Sequence, residues 1–254
     1  MNGQLAALMS ALTFFSRFPV PRSLAGMPFV EAAAAAPLAG AVVAVPPAIL
    51  VAVLLVVGAS PLLAATVGVL ALVIATGALH EDGLADCADG FFGAAERSRR
   101  LEIMHDSRIG AFGVLALIGA VLIKVAVLEA AIAKSPWAAL FAFVAAAAAA
   151  RAVSLYPWVA LPGARAEGLA ARIGQPTVAT FRKALLWGIA ITALLTVWWA
   201  PVGFLVAGVA VAAAAKACAL LADRLIGGHT GDVIGATIVV TDLTYLAAIT
   251  MWAL

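Results

Sequence analysis

Charge is scarce in this chain: of its 254 residues only 11% are Asp, Glu, Lys or Arg, while 65% are hydrophobic, against about 25% and about 45–50% in ordinary soluble domains. A soluble globule has too few water-facing groups at that composition, so a soluble fold is excluded. A mean hydropathy of +1.14 over the whole length makes lipid the solvent of most of the protein. Cysteine is nearly absent. Cys87 and Cys218 lie far apart with neither CxxC nor Cys/His ligand spacing, which excludes a disulfide framework or a structural zinc site, and both are expected as free thiols. The three histidines, His80, His105 and His229, are scattered, and none is assigned a metal. A net charge of +2 forms no basic stripe, and no nucleic-acid partner is expected. The N-terminus lacks the basic region and small-residue cleavage site of a secretory signal, so no cleaved segment is expected.

Long apolar runs are abundant. Crossing a bilayer takes about 20 helical residues, and such runs fall at roughly 37–58, 61–80, 111–133, 136–160, 184–200, 201–222 and 233–254. The expected fold is therefore all-α: a single polytopic membrane helix bundle over residues 1–254 with about seven transmembrane helices. An interfacial helix is expected over 3–18, where Leu5, Leu8, Leu12 and Phe15 alternate with polar positions. Uncharged breaks at Gly58-Ala59-Ser60-Pro61 and Ala200-Pro201 read as tight reversals. Basic residues gather in four other segments: Arg17 and Arg22; Arg97, Arg99, Arg100 and Arg108; Arg165, Arg172, Arg182 and Lys183; and Arg224. The excess of Lys and Arg on cytoplasmic loops places these segments and the N-terminus inside, with only Lys134 on the opposite side. Alanine runs at 32–36 and 145–150 permit close helix packing and leave room for a homo-oligomer.

The acidic residues are not spread evenly. Of 13 in the chain, Glu81, Asp82, Asp86, Asp89, Glu96, Glu102 and Asp106 lie between positions 81 and 106. In His80-Glu81-Asp82-Gly83-Leu84-Ala85-Asp86-Cys87-Ala88-Asp89-Gly90, positions 82, 86 and 89 share one face of a helix. Carboxylates stacked at that spacing repel one another, and at a membrane edge they call for a compensating cation. Oxygen ligands suit Mg²⁺, with Mn²⁺ as a substitute, shared with substrate phosphates. The metal-ligand candidates are Asp82, Asp86, Asp89 and Glu81. Arginines follow closely in Arg97-Ser98-Arg99-Arg100 and Asp106-Ser107-Arg108, where guanidinium forks suit phosphate. Arg97, Arg99 and Arg108 are accordingly candidate substrate contacts, although arginines at such a position also anchor topology.

These segments resemble a known family. Phe14-Phe15-Ser16-Arg17-Phe18-Pro19-Val20-Pro21, the His80–Asp86 run with Asp89-Gly90, Leu101-Glu102-Ile103-Met104 with Asp106-Ser107-Arg108 and Gly110, Glu167-Gly168-Leu169, and Gly227-Gly228-His229-Thr230-Gly231-Asp232 with Gly235-Ala236 look like adenosylcobinamide-GDP ribazoletransferase, the cobalamin 5′-phosphate synthase. The resemblance implies a polytopic, Mg²⁺-requiring enzyme of a bacterial-type inner membrane that joins adenosylcobinamide-GDP to α-ribazole, or its 5′-phosphate, and releases GMP. On that basis Asp82, Asp86 and Asp89 are expected to hold the metal, with Asp106 a further ligand or the base that takes the hydroxyl proton. Substrate contacts are expected from Arg97, Arg99, Arg108, Gly228, Thr230, Asp232, Arg151 and Glu167. One departure stands out: after Gly235-Ala236 the family tends to carry acids three residues apart, and here Val239 precedes Asp242. Lys124, Glu129 and Arg151 are costly intramembrane charges. Arg151 is expected to face a polar cavity, Lys124 to serve structure, and Asp242 either to act in function or to make a polar contact to a neighbouring helix through Thr241 or Thr244. A CDP-alcohol phosphotransferase is not supported, because Asp82-Gly83-Leu84-Ala85 runs on into Asp86 where that family places Arg. A transporter is disfavoured because the acids crowd one membrane edge rather than the midplane.

Overall fold

The computed structural model describes residues 3–21, 23–165 and 173–253, and within them every regular element is helical. The elements in chain order are α1 (Gly3–Phe15), α2 (Phe29–Ala32) running through a 3₁₀ turn into α3 (Ala36–Val56), α4 (Pro61–Thr76), α5 (Leu79–Gly93), α6 (Arg97–Ile103), α7 (Ala111–Lys134), α8 (Pro136–Val153) with its continuation α9 (Leu155–Ala160), α10 (Val178–Thr196), α11 (Pro201–Ile226) and α12 (Gly231–Ala253). Six of these helices or helix runs are long and apolar enough to cross a membrane, and the bent pair α4–α5 supplies a seventh if counted as one span. The protein is thus a multi-pass membrane helix bundle.

Local chemistry fixes the span ends. Pro61, Pro136 and Pro201 each open a helix, where proline's missing N–H costs nothing and its φ is preset. The α8–α9 break has the same cause in reverse: Pro157, four residues after Val153, cannot donate to that carbonyl, and the helix interrupts at Ser154. The two central helices are α8 and α12, whose apolar windows are 78% and 72% buried. The alanines of α8 make this possible, since Ala142 and Ala145–Ala148 are buried without bulk that would hold neighbours apart. Gly40 of α3 meets the Ala147 carbonyl so closely that no side chain would fit there.

The structure corrects the expected second span. A continuous helix over 61–80 is replaced by α4, which closes at Gly77 (φ 65°) and Ala78 (φ 57°), after which α5 departs at 89°. The hydrophobic run conceals this turn, but the side chains explain it. Past Thr76 the chain carries His80, Glu81, Asp82, Asp86 and Asp89, which hydrocarbon does not tolerate. The bend turns α5 sharply away from the axis of α4. Arg17 secures the corner: its N–H donates to the Ala75 carbonyl at 2.8 Å and its side chain packs on Gly77, at the negative end of the α4 dipole. The N-terminal helix ends at Phe15 rather than 18 and packs Ala11, Leu12 and Phe15 against the bundle.

Candidate active site

The functional surface is built where α5 crosses the start of α12. Gly83 makes the crossing possible, because a Cβ there would lie 2.8 Å from the Asp232 carbonyl oxygen. With the backbones this close, Asp82 and Asp86, one turn apart on α5, share a site with Asp232. A second close approach comes from the segment after α9. Ala164 N–H donates to the His229 carbonyl and His229 N–H to the Pro162 carbonyl, both at 2.8 Å, forming a short parallel bridge between Gly163 and His229. Gly228 is required there, since any side chain would be driven into the Pro162 carbonyl. The bridge carries Arg165 to the acidic group: its guanidinium lies 3.7 Å from the Asp232 carboxylate and donates to the Leu101 carbonyl at 2.8 Å.

Between these elements lies a cavity of about 330 Å³, with Asp82, Arg165, Thr230 and Asp232 among its polar lining and Phe14, Phe15, Trp158 and Ile234 among its apolar lining. Thr230 donates to the Asp232 carboxylate at 3.2 Å and accepts from the Val233 N–H, so it both holds that acid and caps α12. Asp86 does not line the cavity but feels it. Burial, then the neighbouring charges of Asp232 and Asp82, push its carboxyl up to about 7 against the pull of Arg165. Burial lowers the basicity of His229, whose Nδ1 sits 3.0 Å from the Leu161 carbonyl.

Three carboxylates face one guanidinium at this site, a surplus of negative charge that suits a hard divalent cation. Among the described residues no three His, Cys, Asp or Glu side chains converge tightly enough to hold a metal unaided. That arrangement still fits Mg²⁺, which keeps several waters and is bound by one or two carboxylates together with substrate phosphates.

Several expected site residues are placed elsewhere. Asp89 shares the α5 face, but both of its oxygens are engaged by backbone: Gly110 N–H donates at 2.7 Å and Gly113 N–H at 2.8 Å. Its carboxylate caps the N-terminus of α7 and complements that helix dipole. Glu81 points to the other side of α5, into a small buried polar cavity of about 30 Å³ with Lys124, Arg151 and Asp242. Asp106 and Arg108 hold each other in an exposed loop, with Arg108 donating to both carboxylate oxygens, and neither lines the cavity. The Arg108 partner draws the Asp106 carboxyl down to about 2. Arg97 ties loops together through the carbonyls of Ile226 (2.7 Å) and Ala164 (3.4 Å), and Arg99 makes an exposed i,i+3 pair with Glu102. Arg151 is buried and donates to the Ala147 carbonyl at 3.0 Å. Asp242 pairs with Lys124, while Thr241 and Thr244 bond carbonyls of their own helix. Glu167, Arg172 and Arg22 lie outside the described residues.

With this geometry in hand, comparison with known proteins is decisive. The family model described as cobalamin-5-phosphate synthase matches residues 7–250. The chain belongs to the cobalamin-5-phosphate synthase family. The adenosylcobinamide-GDP ribazoletransferase of Azorhizobium caulinodans is 42% identical over 255 residues, covering 98% of this chain and 97% of that protein. Those of Allorhizobium ampelinum and Brucella ovis are 44% and 38% identical, covering 85% and 98% of this chain and 83% and 98% of their own lengths. No solved structure matches. For this member of the family, sequence reasoning missed Arg165, Trp158, Gln175, Phe14 and Phe15 as cavity residues. A signal existed only for the two phenylalanines, which open the Phe14–Pro21 motif. Arg165 passes for a topology arginine, and Trp158 for an ordinary ring at a span end.

Proposed function

We propose that this chain transfers adenosylcobinamide phosphate from adenosylcobinamide-GDP to a ribose hydroxyl of α-ribazole or its 5′-phosphate, late in cobalamin biosynthesis, and that it does so in the cavity between α5 and α12. The observation that carries the reading is the meeting of Asp82, Asp86 and Asp232 with Arg165 at a cavity of nucleotide size, in a chain whose relatives bear that enzyme's name over nearly their whole length.

In this reading the hydroxyl oxygen attacks the phosphorus on the corrinoid side of the pyrophosphate, a new P–O bond forms, the pyrophosphate bridge breaks, and GMP leaves. Asp82 and Asp232, together with substrate phosphates, would hold Mg²⁺, or Mn²⁺ in its place, with Asp86 adding negative charge beside them; the ion when bound would neutralise phosphate charge. Arg165 faces the same phosphates from the opposite side and stabilises charge on the departing GMP, in keeping with a reaction type where positioning and charge neutralisation do most of the catalysis. The carboxylates that line the cavity, Asp82 and Asp232, are placed to take the hydroxyl proton, a role for which exposed Asp106 is badly placed. Thr230 and the Gly163–His229 bridge keep Asp232 and Arg165 in register.

The basic residues outside the spans support a cytoplasmic position for α5, α6 and the site loops, in a bacterial inner membrane. The test is GMP release and corrinoid product formation by purified protein with Mg²⁺ or with EDTA. Metal-dependent formation of both products is expected, and absence of product from folded protein with both substrates and Mg²⁺ overturns the reading.

A further inference from the structure

His229 lines the same cavity as Asp82, Arg165 and Asp232, and it is anchored three times to one short segment. Its backbone N–H donates to the Pro162 carbonyl and its carbonyl accepts from the Ala164 N–H, each at 2.8 Å. Its ring adds the third anchor, with Nδ1 3.0 Å from the Leu161 carbonyl. A carbonyl oxygen only accepts, so Nδ1 carries the hydrogen and Nε2 of the neutral ring keeps a bare lone pair. Burial favours that neutral ring. Nε2 has no partner among the described residues, and it is not sealed off as the Trp158 indole nitrogen and His80 Nε2 are. The residue is otherwise buried, 5% exposed, and the cavity is the open space it borders.

The other polar groups of the wall are committed. The Gln175 amide nitrogen donates to the carbonyls of Trp158 (2.7 Å) and Leu161 (3.1 Å). The Thr230 hydroxyl donates to Asp232, and Arg165, a permanent cation, has no lone pair to offer. Asp82 and Asp232 are placed to take a proton, but on a metal their lone pairs face the ion. The His229 ring nitrogen is the base that stays free. An imidazole oriented by a third group through one nitrogen, with the other turned to the nucleophile, is the arrangement that activates a hydroxyl.

We propose that His229 is the general base of the transfer, its Nε2 accepting the hydrogen bond of the attacking ribose hydroxyl and then its proton. The assignment rests on the reaction proposed above. As the hydroxyl oxygen bonds to phosphorus, its O–H electron pair stays with the oxygen and the proton passes to Nε2. The imidazolium so formed keeps its Nδ1 hydrogen on the Leu161 carbonyl. The electrons of the broken pyrophosphate P–O bond leave with GMP, and the imidazolium afterwards returns its proton to water.

The test uses one variant and one reagent. His229→Asn keeps an amide N–H near the place of Nδ1 and removes Nε2. It is expected to lower kcat by about 10²–10⁴-fold, with KM for both substrates and thermal stability close to wild type, and added imidazole is expected to restore part of the loss. Wild type supplies a readout that needs no variant to fold. Diethyl pyrocarbonate acylates unprotonated imidazole nitrogen, and peptide masses should show His229 modified and His80 spared, with α-ribazole 5′-phosphate protecting His229. A stable His229→Asn variant with wild-type kcat overturns the proposal, as does a loss seen only in KM, a kcat loss that imidazole leaves unmoved, or a wild-type His229 that resists the reagent. Wild type that forms no product from both substrates with Mg²⁺ overturns the underlying reaction, a result distinct from turnover that ignores His229.

Discussion

Lys124 of α7 and Asp242 of α12 form an ion pair in the middle of the bundle, with side chains 13% and 6% exposed. Lys124 also lies over the Phe143 ring at 5.4 Å. The second Asp242 oxygen has no partner among the described residues, nor do His80 Nε2, one Glu81 oxygen and the Arg151 Nε, and all four residues line the same 30 Å³ cavity. Two cations and two carboxylates balance there, and such a volume suits a bridging water. Removing one partner of a buried pair costs about 3–5 kcal/mol because the other charge is stranded, whereas replacing both with apolar residues is often neutral. Against a total stability of about 5–15 kcal/mol, Asp242→Leu should therefore lower thermal stability sharply, and Lys124→Leu with Asp242→Leu should recover most of it. Cys87, buried on α5, provides the assay in a Cys218→Ser background: a thiol-reactive dye reports its exposure as protein in detergent is heated. A single Asp242→Leu variant as stable as wild type, or a double variant no better than the single, would refute the reasoning.

Three further outcomes are expected. Asp89→Ala should cost about 0.5–2 kcal/mol through loss of the α7 cap, while Asp89→Asn, which still accepts an N–H, should keep most stability and turnover; abolished turnover in a fully stable Asn variant would restore Asp89 to the metal site. Gly83→Ala should part α5 from α12 and weaken the proposed transfer by at least about tenfold with the helical content intact, as read by circular dichroism alongside product formation; full activity would show that the crossing has slack. The Asp86 carboxyl, raised to about 7 from an ordinary 3.8, favours its protonated form in the fold, so its contribution to metal-free stability falls as pH rises from about 4 through 7. In EDTA the Asp86→Asn variant should show a flatter pH–stability profile and exceed wild type at pH 8, and Mg²⁺ should bind wild type more weakly below pH 7, where protons compete; a profile identical to wild type would contradict the charge cluster.

The sequence reveals most of the architecture because each span is an apolar run with proline or glycine at one boundary or both, and composition alone reports such boundaries. It conceals the bend at Gly77-Ala78, since hydropathy carries no sign of direction and the run continues to Leu79. The helical stacking of Asp82, Asp86 and Asp89 is legible, but not what each one faces. Asp89 meets backbone N–H groups 21 and 24 residues away, and the partner of Asp82 and Asp86 is Asp232, supplied by a helix that approaches only because position 83 has no side chain. Lys124 and Asp242 are individually conspicuous as intramembrane charges. Their pairing depends on how α7 packs against α12, which no local pattern encodes.

The most direct measurement is product formation with adenosylcobinamide-GDP, α-ribazole 5′-phosphate and Mg²⁺ by Asp82→Asn, Asp232→Asn and Asp106→Asn, each checked for folding. The account predicts loss of turnover in the first two, whose carboxylates line the cavity, and substantial retention in the third, whose carboxylate lies in the exposed loop. Loss confined to Asp106→Asn, with the cavity variants active, would move the chemistry to the α6 loop and contradict it.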